Sequence, residues 1–262
     1  MIVIKFGGHA MIDQNGEFAK SVNEAIASGL SLVIVHGGGP QIDAALSAAG
    51  VDSEFIGGFR VTTPEVFDVV ERVLAGEVGP GLAGTLSQHG VPAVSISGRG
   101  SKTLIAQHQR TLVDGSPAQL GQVGQVISVN PKAILDLLSE GKVPVISPIA
   151  TDSNFTEGFN VNADLAAAAI AGEFDAQALI IMTDVEGIYK AWPDKASLIS
   201  SISAKDLLEI KSTFEKGMAP KVAACLDAIA AGAKAVRIID GTDPDALKLA
   251  LAGAGGTLVS AR

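Results

Sequence analysis

A short apolar run that ends in glycines is the most informative pattern in the chain. Residues 32–35 are apolar and largely β-branched, which is typical of a strand buried on both faces. Three glycines follow at 37–39, and Pro40 then stands where the first turn of a helix tolerates proline. The pattern predicts a strand, a glycine loop and a helix over 41–49. Such a loop favours an anion, because glycines let the backbone approach closely, although it is often only a tight turn.

A second apolar run, residues 2–8 (IVIKFGG), also ends in glycines but carries a charge. Lys5 lies between Ile4 and Phe6, and a buried lysine costs free energy unless its ammonium meets a negative partner. The alternative is an edge strand with Lys5 in water. Two strands that both end in glycines favour parallel neighbours whose carboxyl ends face one polyanion.

The rest of the chain alternates helical and extended patterns with short connections. Repeated βα units of this kind predict an α/β fold, a three-layer α-β-α sandwich with one continuous, mainly parallel central sheet. The predicted helices are 17–29, 64–74, 82–88, 132–140, 163–172, 203–210, 216–232 and 243–252; the predicted strands are 91–96, 143–149, 178–183, 235–239 and 257–259, with hairpins over 51–62 and 103–129.

Composition narrows the class of protein. Hydrophobic residues make up 47% of the 262 residues and charged residues 18%, which favours a well-buried sheet over disorder. The net charge of −9 disfavours nucleic acid and anionic membranes as partners, so a phosphate site must be a local positive pocket. No apolar run reaches the roughly 18 residues of a membrane span, and no signal segment is found, so we expect a cytoplasmic protein. The single cysteine, Cys225, is interpreted as a buried small hydrophobe.

Four charged residues lie at junctions where ligands collect in open α/β sheets. They are Lys5 at a strand end, Arg60 after a glycine pair, and Asp164 and Lys221 in the first turns of helices. A lysine at a helix start is unfavourable unless an anion lies there too. Ordinary capping is the alternative for Asp164 and its neighbour Asn162. Two ammonium groups, two glycine turns and one carboxylate suit a phosphoryl group in transfer.

Other chemistries are disfavoured by missing motifs. GRGSK at 98–102 is not a P-loop, because β-type residues rather than a helix follow it. The GxGxxG turn and acidic ribose ligand of a dehydrogenase are absent, as are the CxxC and HExxH patterns of zinc sites.

Six motifs together resemble the amino acid kinase family, and the resemblance covers the whole chain in order. Within the family, HGGG, the arginine of GFRVT and NVNAD point to members that phosphorylate N-acetyl-L-glutamate in arginine biosynthesis, rather than to carbamate, uridylate or aspartate kinases. The motifs are KFGGHAM (5–11), VIVHGGG (33–39), GGFRVT (57–62), FNVNAD (159–164), TDVEGIY (183–189) and GMAPKV (217–222).

The resemblance implies a role for each motif. Lys5 and Lys221 would stabilise the transferring γ-phosphoryl group from opposite sides, and Asp164 would hold both lysines. The remaining implied sites are backbone N–H donors at Gly7, Gly8, Gly38 and Gly39, substrate contacts at Arg60 and Asn160, and nucleotide contacts at Asp184, Val185, Glu186, Gly187, Ile188, Tyr189, Thr213, Phe214 and Glu215.

The resemblance also implies cofactors and an assembly. ATP would be the donor, with Mg²⁺ held by ATP oxygens rather than by protein side chains. An N-terminal lobe (1–172) would bind the acyl amino acid and form a homodimer, and a C-terminal lobe (173–262) would bind ATP. Because the first strand begins at Ile2, without the N-terminal helix that joins dimers into a ring in arginine-inhibited members, we expect a plain homodimer insensitive to arginine.

Two alternatives remain open at this point. One is a kinase for carrier-protein-linked aminoadipate or glutamate, against which the excess of carboxylates argues weakly. The other is a non-catalytic module that binds a nucleotide or oxyanion, which would not need both lysines. A substrate carboxylate is an adequate nucleophile at neutral pH and needs no general base, so His36 is interpreted as structural support for its loop.

Overall fold

The computed structural model describes residues 1–7, 16–112, 115–214 and 218–261. The strands within these ranges are β1 (Ile2–Phe6), β2 (Leu32–His36), β3 (Phe55–Ile56), β4 (Phe59–Arg60), β5 (Ala93–Ser97), β6 (Leu104–His108), β7 (Gly124–Val129), β8 (Val143–Ser147), β9 (Ile149–Thr151), β10 (Gly158–Asn160), β11 (Ala178–Thr183), β12 (Ser201–Ser203), β13 (Ala235–Asp240) and β14 (Thr257–Ser260). The α-helices are α1 (Glu17–Ala27), α2 (Gly39–Ala49), α3 (Pro64–Glu71), α4 (Gly79–Gln88), α5 (Lys132–Ser139), α6 (Ala163–Glu173), α7 (Ala204–Glu209), α8 (Ala219–Ala230) and α9 (Ala246–Leu251).

Eight strands form the central sheet, in the order β12-β14-β13-β11-β1-β2-β8-β5. Every pair is parallel except β13 with β14, so the predicted mainly parallel sheet is confirmed. Lys5 of β1 lies opposite Val35 of β2 and Ile181 of β11. The carboxyl ends of these three strands therefore meet at the middle of one sheet edge, where ligands bind in open α/β folds.

Helices cover both faces of this sheet. Val3 of β1 belongs to a core cluster that also contains residues of α6 and α8, whereas Ile2 and Ile4 belong to a second cluster with residues of α1, α4 and α9. Neighbouring side chains of a strand point to opposite faces, so both faces of β1 are buried. The continuous apolar runs that predict the central strands follow from this double burial.

A second, four-stranded sheet has the order β10-β9-β6-β7. The hairpin predicted over 103–129 is confirmed as the antiparallel pair of β6 and β7, but the sequence does not predict the sheet to which it belongs. The hairpin predicted over 51–62 is also confirmed, as β3 and β4 with Gly57 and Gly58 at its turn. These smaller units supply side chains that complete the site described below.

Residues 64–88 form one helical run, so the prediction of two helices separated after residue 74 is wrong. A π-helical segment, Arg72–Val78, joins α3 directly to α4. Pro80 lacks the N–H that an α-helical ladder requires, and the wider π turn that precedes it accommodates the missing bond.

Cys225 is fully buried within the core cluster of α6 and α8, and its interpretation as a small hydrophobe is confirmed. None of the described helices is long and apolar enough to cross a lipid bilayer.

Candidate active site

Lys5 and Asp164 form an ion pair at the centre of the sheet edge. The Lys5 Nζ lies 3.0 Å from Asp164 Oδ1, and both side chains are largely buried. Among the described residues, Oδ1 has no donor in hydrogen-bonding geometry, so the contact is electrostatic. The buried strand lysine thus has the negative partner that its position requires.

Helix capping places Asp164 in this position. Asn162 is the residue before α6, and its Oδ1 accepts hydrogen bonds from the backbone N–H groups of Asp164, at 2.8 Å, and Leu165, at 3.3 Å. The capping alternative is thus confirmed for Asn162, while the Asp164 side chain contacts Lys5. Because Asn162 already satisfies these donors, the Asp164 carboxylate remains available to Lys5.

Gly7 lies beside both the Lys5 ammonium and Gly37, the first glycine of the turn after β2. The Gly37 N–H donates to the Phe6 carbonyl oxygen at 2.8 Å, which joins the end of β1 to the turn after β2. A Cβ atom at Gly7 would lie 3.0 Å from Lys5 Nζ and 3.5 Å from the Gly37 Cα. Any side chain at residue 7 would therefore crowd the ammonium. Gly8 lies outside the described residues.

His36 supports the second glycine turn from beneath. It ends β2 and is fully buried, with Nδ1 2.7 Å from the Gly37 carbonyl oxygen and Nε2 2.9 Å from Ser147 Oγ. The Ser147 hydroxyl also donates to the Leu74 carbonyl oxygen in the π-helical segment at 3.0 Å. Burial lowers the pKa of His36 to about 4, so its ring is neutral at physiological pH. The structural interpretation of His36 is confirmed.

A cavity of about 200 Å³ opens beside this turn. Its lining includes Gly38 and Gly39, together with Arg60 and Asn160 and the apolar side chains of Leu74 and Val123. We call this the acyl-side cavity. The lining of this cavity combines backbone N–H groups, one guanidinium, one amide and apolar walls. Such a set can bind a small molecule that has both carboxylate and apolar parts.

Arg60 is buried and already paired. One guanidinium nitrogen lies 2.6 Å from Asp43 Oδ1, the other donates to Ser53 Oγ at 2.8 Å, and the Phe55 ring lies 4.5 Å from the guanidinium carbon. Asn160 is held differently, since its Nδ2 donates to Thr62 Oγ1 at 3.1 Å. Both predicted substrate residues thus reach one cavity in fixed orientations.

Lys221 pairs with Asp184, and the expectation that Asp164 holds both lysines is corrected in this respect. The Lys221 Nζ lies 3.3 Å from Asp184 Oδ1, whereas the ion pair of Asp164 is with Lys5. Asp184 follows β11, the strand next to β1, and α8 brings Lys221 to it from the first turn. A hydrogen bond from Thr183 and, to a lesser extent, the charge of Lys221 lower the pKa of Asp184 despite partial burial. The carboxylate also provides the anion that a lysine at a helix start requires.

A larger cavity, about 1040 Å³, adjoins this second ion pair. We call it the nucleotide-side cavity. Of the residues predicted to contact a nucleotide, five line it: Asp184, Val185, Tyr189, Thr213 and Phe214. Glu186, Gly187 and Ile188 do not, and Glu215 lies outside the described residues.

The three residues that do not line this cavity make contacts that hold the loop after β11 in place. Ile188 is fully buried and its N–H donates to Thr257 Oγ1 at 2.8 Å. A Cβ atom at Gly187 would approach the same oxygen to 2.3 Å, so only glycine fits there. The carboxylate of Glu186 accepts a hydrogen bond from the Tyr189 hydroxyl at 3.1 Å.

The sequence profile of the Amino acid kinase family matches residues 1–240. The chain belongs to the amino acid kinase family. An acetylglutamate kinase of Arthrobacter sp. (strain FB24) is 49% identical over 255 residues, which are 95% of this chain and 82% of that protein. An acetylglutamate kinase of Nocardia farcinica is 47% identical over 99% of this chain and 87% of its own length.

A comparison of folds gives a match over the full length of the chain. The crystal structure of smu.665 from Streptococcus mutans UA159 superposes with a TM-score of 0.82 at 28% sequence identity, covering 100% of this chain and 98% of that one. The chain described here therefore has the same overall architecture as a protein of known structure.

The sequence does not point to several residues that line the two cavities. On the acyl side, Leu74 lines the cavity but belongs to none of the motifs. Asp43 does not line the cavity, and the sequence does not show that it pairs with Arg60. On the nucleotide side, Lys190 directly follows the motif TDVEGIY, and Trp192 comes two residues later. The single tryptophan beside a ligand motif is the one signal that could have drawn attention to this wall.

Proposed function

We propose that this chain transfers the γ-phosphoryl group of ATP to the side-chain carboxylate of N-acetyl-L-glutamate and so makes N-acetyl-L-glutamyl 5-phosphate. The observation that carries the proposal is the Lys5–Asp164 ion pair at the end of the central strand. The acyl-side cavity adjoins the turn after β2 on one side of it, and the nucleotide-side cavity adjoins the turn after β11 on the other. A phosphoryl group moving between two such cavities passes the Lys5 ammonium.

The curated relatives support the choice of substrate. Both relatives described above are named acetylglutamate kinase, and each is matched over more than nine-tenths of this chain. The residues of the acyl-side cavity fit the same substrate: a guanidinium for the α-carboxylate, an amide for the acetamido group, and apolar walls for its methyl group.

Electrostatics are the proposed basis of catalysis. The acceptor carboxylate is ionised at neutral pH and attacks without a general base. Lys5 and Lys221 neutralise the charge that spreads over the phosphoryl oxygens in the transition state, and the N–H groups of Gly7, Gly8, Gly38 and Gly39 add fixed dipoles. Asp164 orients Lys5, and Asp184 takes the corresponding place for Lys221.

For the donor, we propose that ATP occupies the nucleotide-side cavity with its phosphates toward Lys221. Phosphate oxygens of ATP are the main ligands that we propose for Mg²⁺. The described ranges contain no cluster of three or more His, Cys, Asp or Glu side chains placed to hold a metal ion. The protein contributes the position of the phosphates rather than a metal cage.

The division of labour and the assembly are also proposals. Residues 1–172 carry the acyl-side cavity and the dimer interface, and residues 173–262 carry most of the nucleotide-side cavity. A homodimer predicts twice the monomer mass in sedimentation equilibrium, and a monomer at micromolar concentration would contradict it.

Trapping the acyl phosphate tests the reaction. The purified chain with MgATP and hydroxylamine should form a hydroxamate with N-acetyl-L-glutamate, but no corresponding product with L-aspartate or carbamate offered in parallel. Lys5→Ala should abolish the signal. Nucleotide binding without any hydroxamate would favour the non-catalytic module, and turnover restricted to a carrier-linked substrate would favour the other kinase.

A further inference from the structure

Trp192 is an exposed tryptophan on the wall of the nucleotide-side cavity. It is the single tryptophan of the chain, and the residue is 57% exposed. Large aromatic side chains normally bury most of their surface, so an exposed one beside a cavity needs an explanation. Neither catalysis nor the core uses this indole.

The indole is held in place from below. The Tyr189 ring is buried and meets it edge-on, with ring centroids 5.1 Å apart and an interplanar angle of 67°. Two hydrogen bonds also hold the loop around Trp192. The Ala191 N–H donates to Ser197 Oγ at 3.0 Å, and the Asp194 N–H donates to the Ala191 carbonyl oxygen at 2.8 Å. In a contact at this angle Tyr189 covers at most one face of the indole, so another face remains for a second ring.

The chemistry of the same cavity indicates which ring that is. Lys221 supplies a cation for phosphate, and the wall that contains Trp192 is aromatic and apolar. A ligand that needs both has an anionic part and a flat aromatic part, which is the make-up of a nucleotide. The cavity volume of about 1040 Å³ accommodates one.

We propose that Trp192 stacks on the adenine base of ATP and is a specificity-determining residue for the nucleotide. The inference rests on the proposed function and adds to it the surface that selects the base. The favourable free energy of stacking on an aromatic face increases with the area of the base. Trp192 should therefore favour purine over pyrimidine nucleotides.

The single tryptophan makes a direct binding test possible. Titrating the protein with MgADP should quench the indole emission in a saturable way, because a stacked purine quenches indole fluorescence. Inorganic tripolyphosphate is the matched control. It carries the anionic part without the base and should leave the emission unchanged.

Substitutions separate stacking from a structural role. Trp192→Ala should raise the Kd for MgADP and the KM for ATP about tenfold, and Trp192→Phe, which keeps an aromatic face, should restore most of the affinity. The kcat and the KM for N-acetyl-L-glutamate should stay within about twofold, and the preference for ATP over CTP should fall. Phe155→Ala is the control, since Phe155 is 51% exposed but does not line this cavity.

Three outcomes would overturn the inference. The first is MgADP binding, seen by calorimetry, with unchanged indole emission and unchanged affinity in Trp192→Ala; this leaves the proposed function intact. The second is an emission change that follows protein concentration without nucleotide, which would assign Trp192 to an interface between copies. The third is the absence of any nucleotide binding, which would contradict the inference and the proposed function together.

Discussion

Lys5 owes its place in a buried strand to the carboxylate that faces it. A Cβ atom at Gly7 would lie 3.0 Å from the Lys5 ammonium. A transferring phosphoryl group would gain a fixed positive charge there, without the cost of reorganising water. The charge of Lys5 is thus better explained by a ligand than by stability of the fold.

Lys5→Ala should therefore keep the fold and lose turnover. We expect kcat to fall at least 100-fold, because one electrostatic contact of this kind is worth about 3 kcal/mol in the transition state. Lys5→Met, which keeps the apolar stem, should behave alike. Steady-state assays with circular dichroism check this, and Lys20→Ala is the control because Lys20 lies on the exposed face of α1. Near-normal turnover in either Lys5 variant would remove Lys5 from the reaction.

Arg60 should affect substrate binding more than turnover. Its guanidinium reaches the acyl-side cavity while Asp43 and Ser53 hold it, so its contact with a substrate carboxylate exists before and during transfer. Arg60→Ala should raise the KM for N-acetyl-L-glutamate by about tenfold or more and change kcat less. The matched variant Arg72→Ala removes a surface arginine and should alter neither constant. An unchanged KM in Arg60→Ala would exclude Arg60 from the substrate site.

Helices and strands can be predicted from local sequence patterns more reliably than the pairing of strands can. The strand, glycine turn and helix over 32–49 lie within one stretch of sequence, and their bounds are close to those of β2 and α2. The second sheet depends on contacts such as Ile105 with Thr151, which are far apart in the sequence. The resemblance implies that Asp164 holds both lysines, whereas the ion pair of Lys221 is with Asp184, a contact that neither the motifs nor their spacing predict.

The π-helical segment illustrates a packing constraint that periodicity does not show. It lets α4 begin at Gly79, which lies against the polar side chains under the glycine turn. A Cβ atom there would approach Ser95 Oγ to 2.7 Å, and His36 Nε2 and Ser147 Oγ to 2.9 Å each. His36 and Ser147 are fully buried and Ser95 is partly buried, so these side chains have little freedom to move. The helix and the glycine turn are therefore coupled at one residue.

Gly79→Ala should destabilise the protein, and Gly84→Ala should not. The first overpacks the buried cluster and should cost about 1–3 kcal/mol. The second lies in the same helix with open space around its Cβ position and should be neutral or stabilising by up to about 1 kcal/mol. Urea unfolding of both variants measures the difference. Equal stabilities would show that Gly79 is not a close-packed position.

A buried neutral histidine makes the free energy of unfolding of the whole protein depend on pH. His36 is fully buried, and burial lowers its pKa from 6.5 to about 4. Its partners among the described residues, the Gly37 carbonyl and the Ser147 hydroxyl, carry no charge that could compensate an imidazolium. In the unfolded chain the same ring takes up a proton near pH 6.5.

The direction in which pH changes the stability follows from the number of protons that the native and unfolded states bind. Above pH 6.5 both states are neutral at this ring, and the contribution of His36 to stability is complete. Between pH 6.5 and about 4 the unfolded chain binds one more proton than the native protein, so acidification favours unfolding. Below about pH 4 both states are protonated and the effect is fully expressed, at about 3 kcal/mol.

We therefore expect the free energy of unfolding, measured by urea titration, to fall progressively from pH 6.5 to 4. His36→Gln keeps a polar side chain without a titrating ring, so its stability should fall less over the same interval. Carboxylates with lowered pKa, such as Asp152 at about 2, contribute to both proteins alike and cancel in the difference. If the two curves run parallel from pH 6.5 to 4, the His36 ring is protonated as easily in the native protein as in the unfolded chain. The glycine turn would then rest on a cation rather than on a neutral ring.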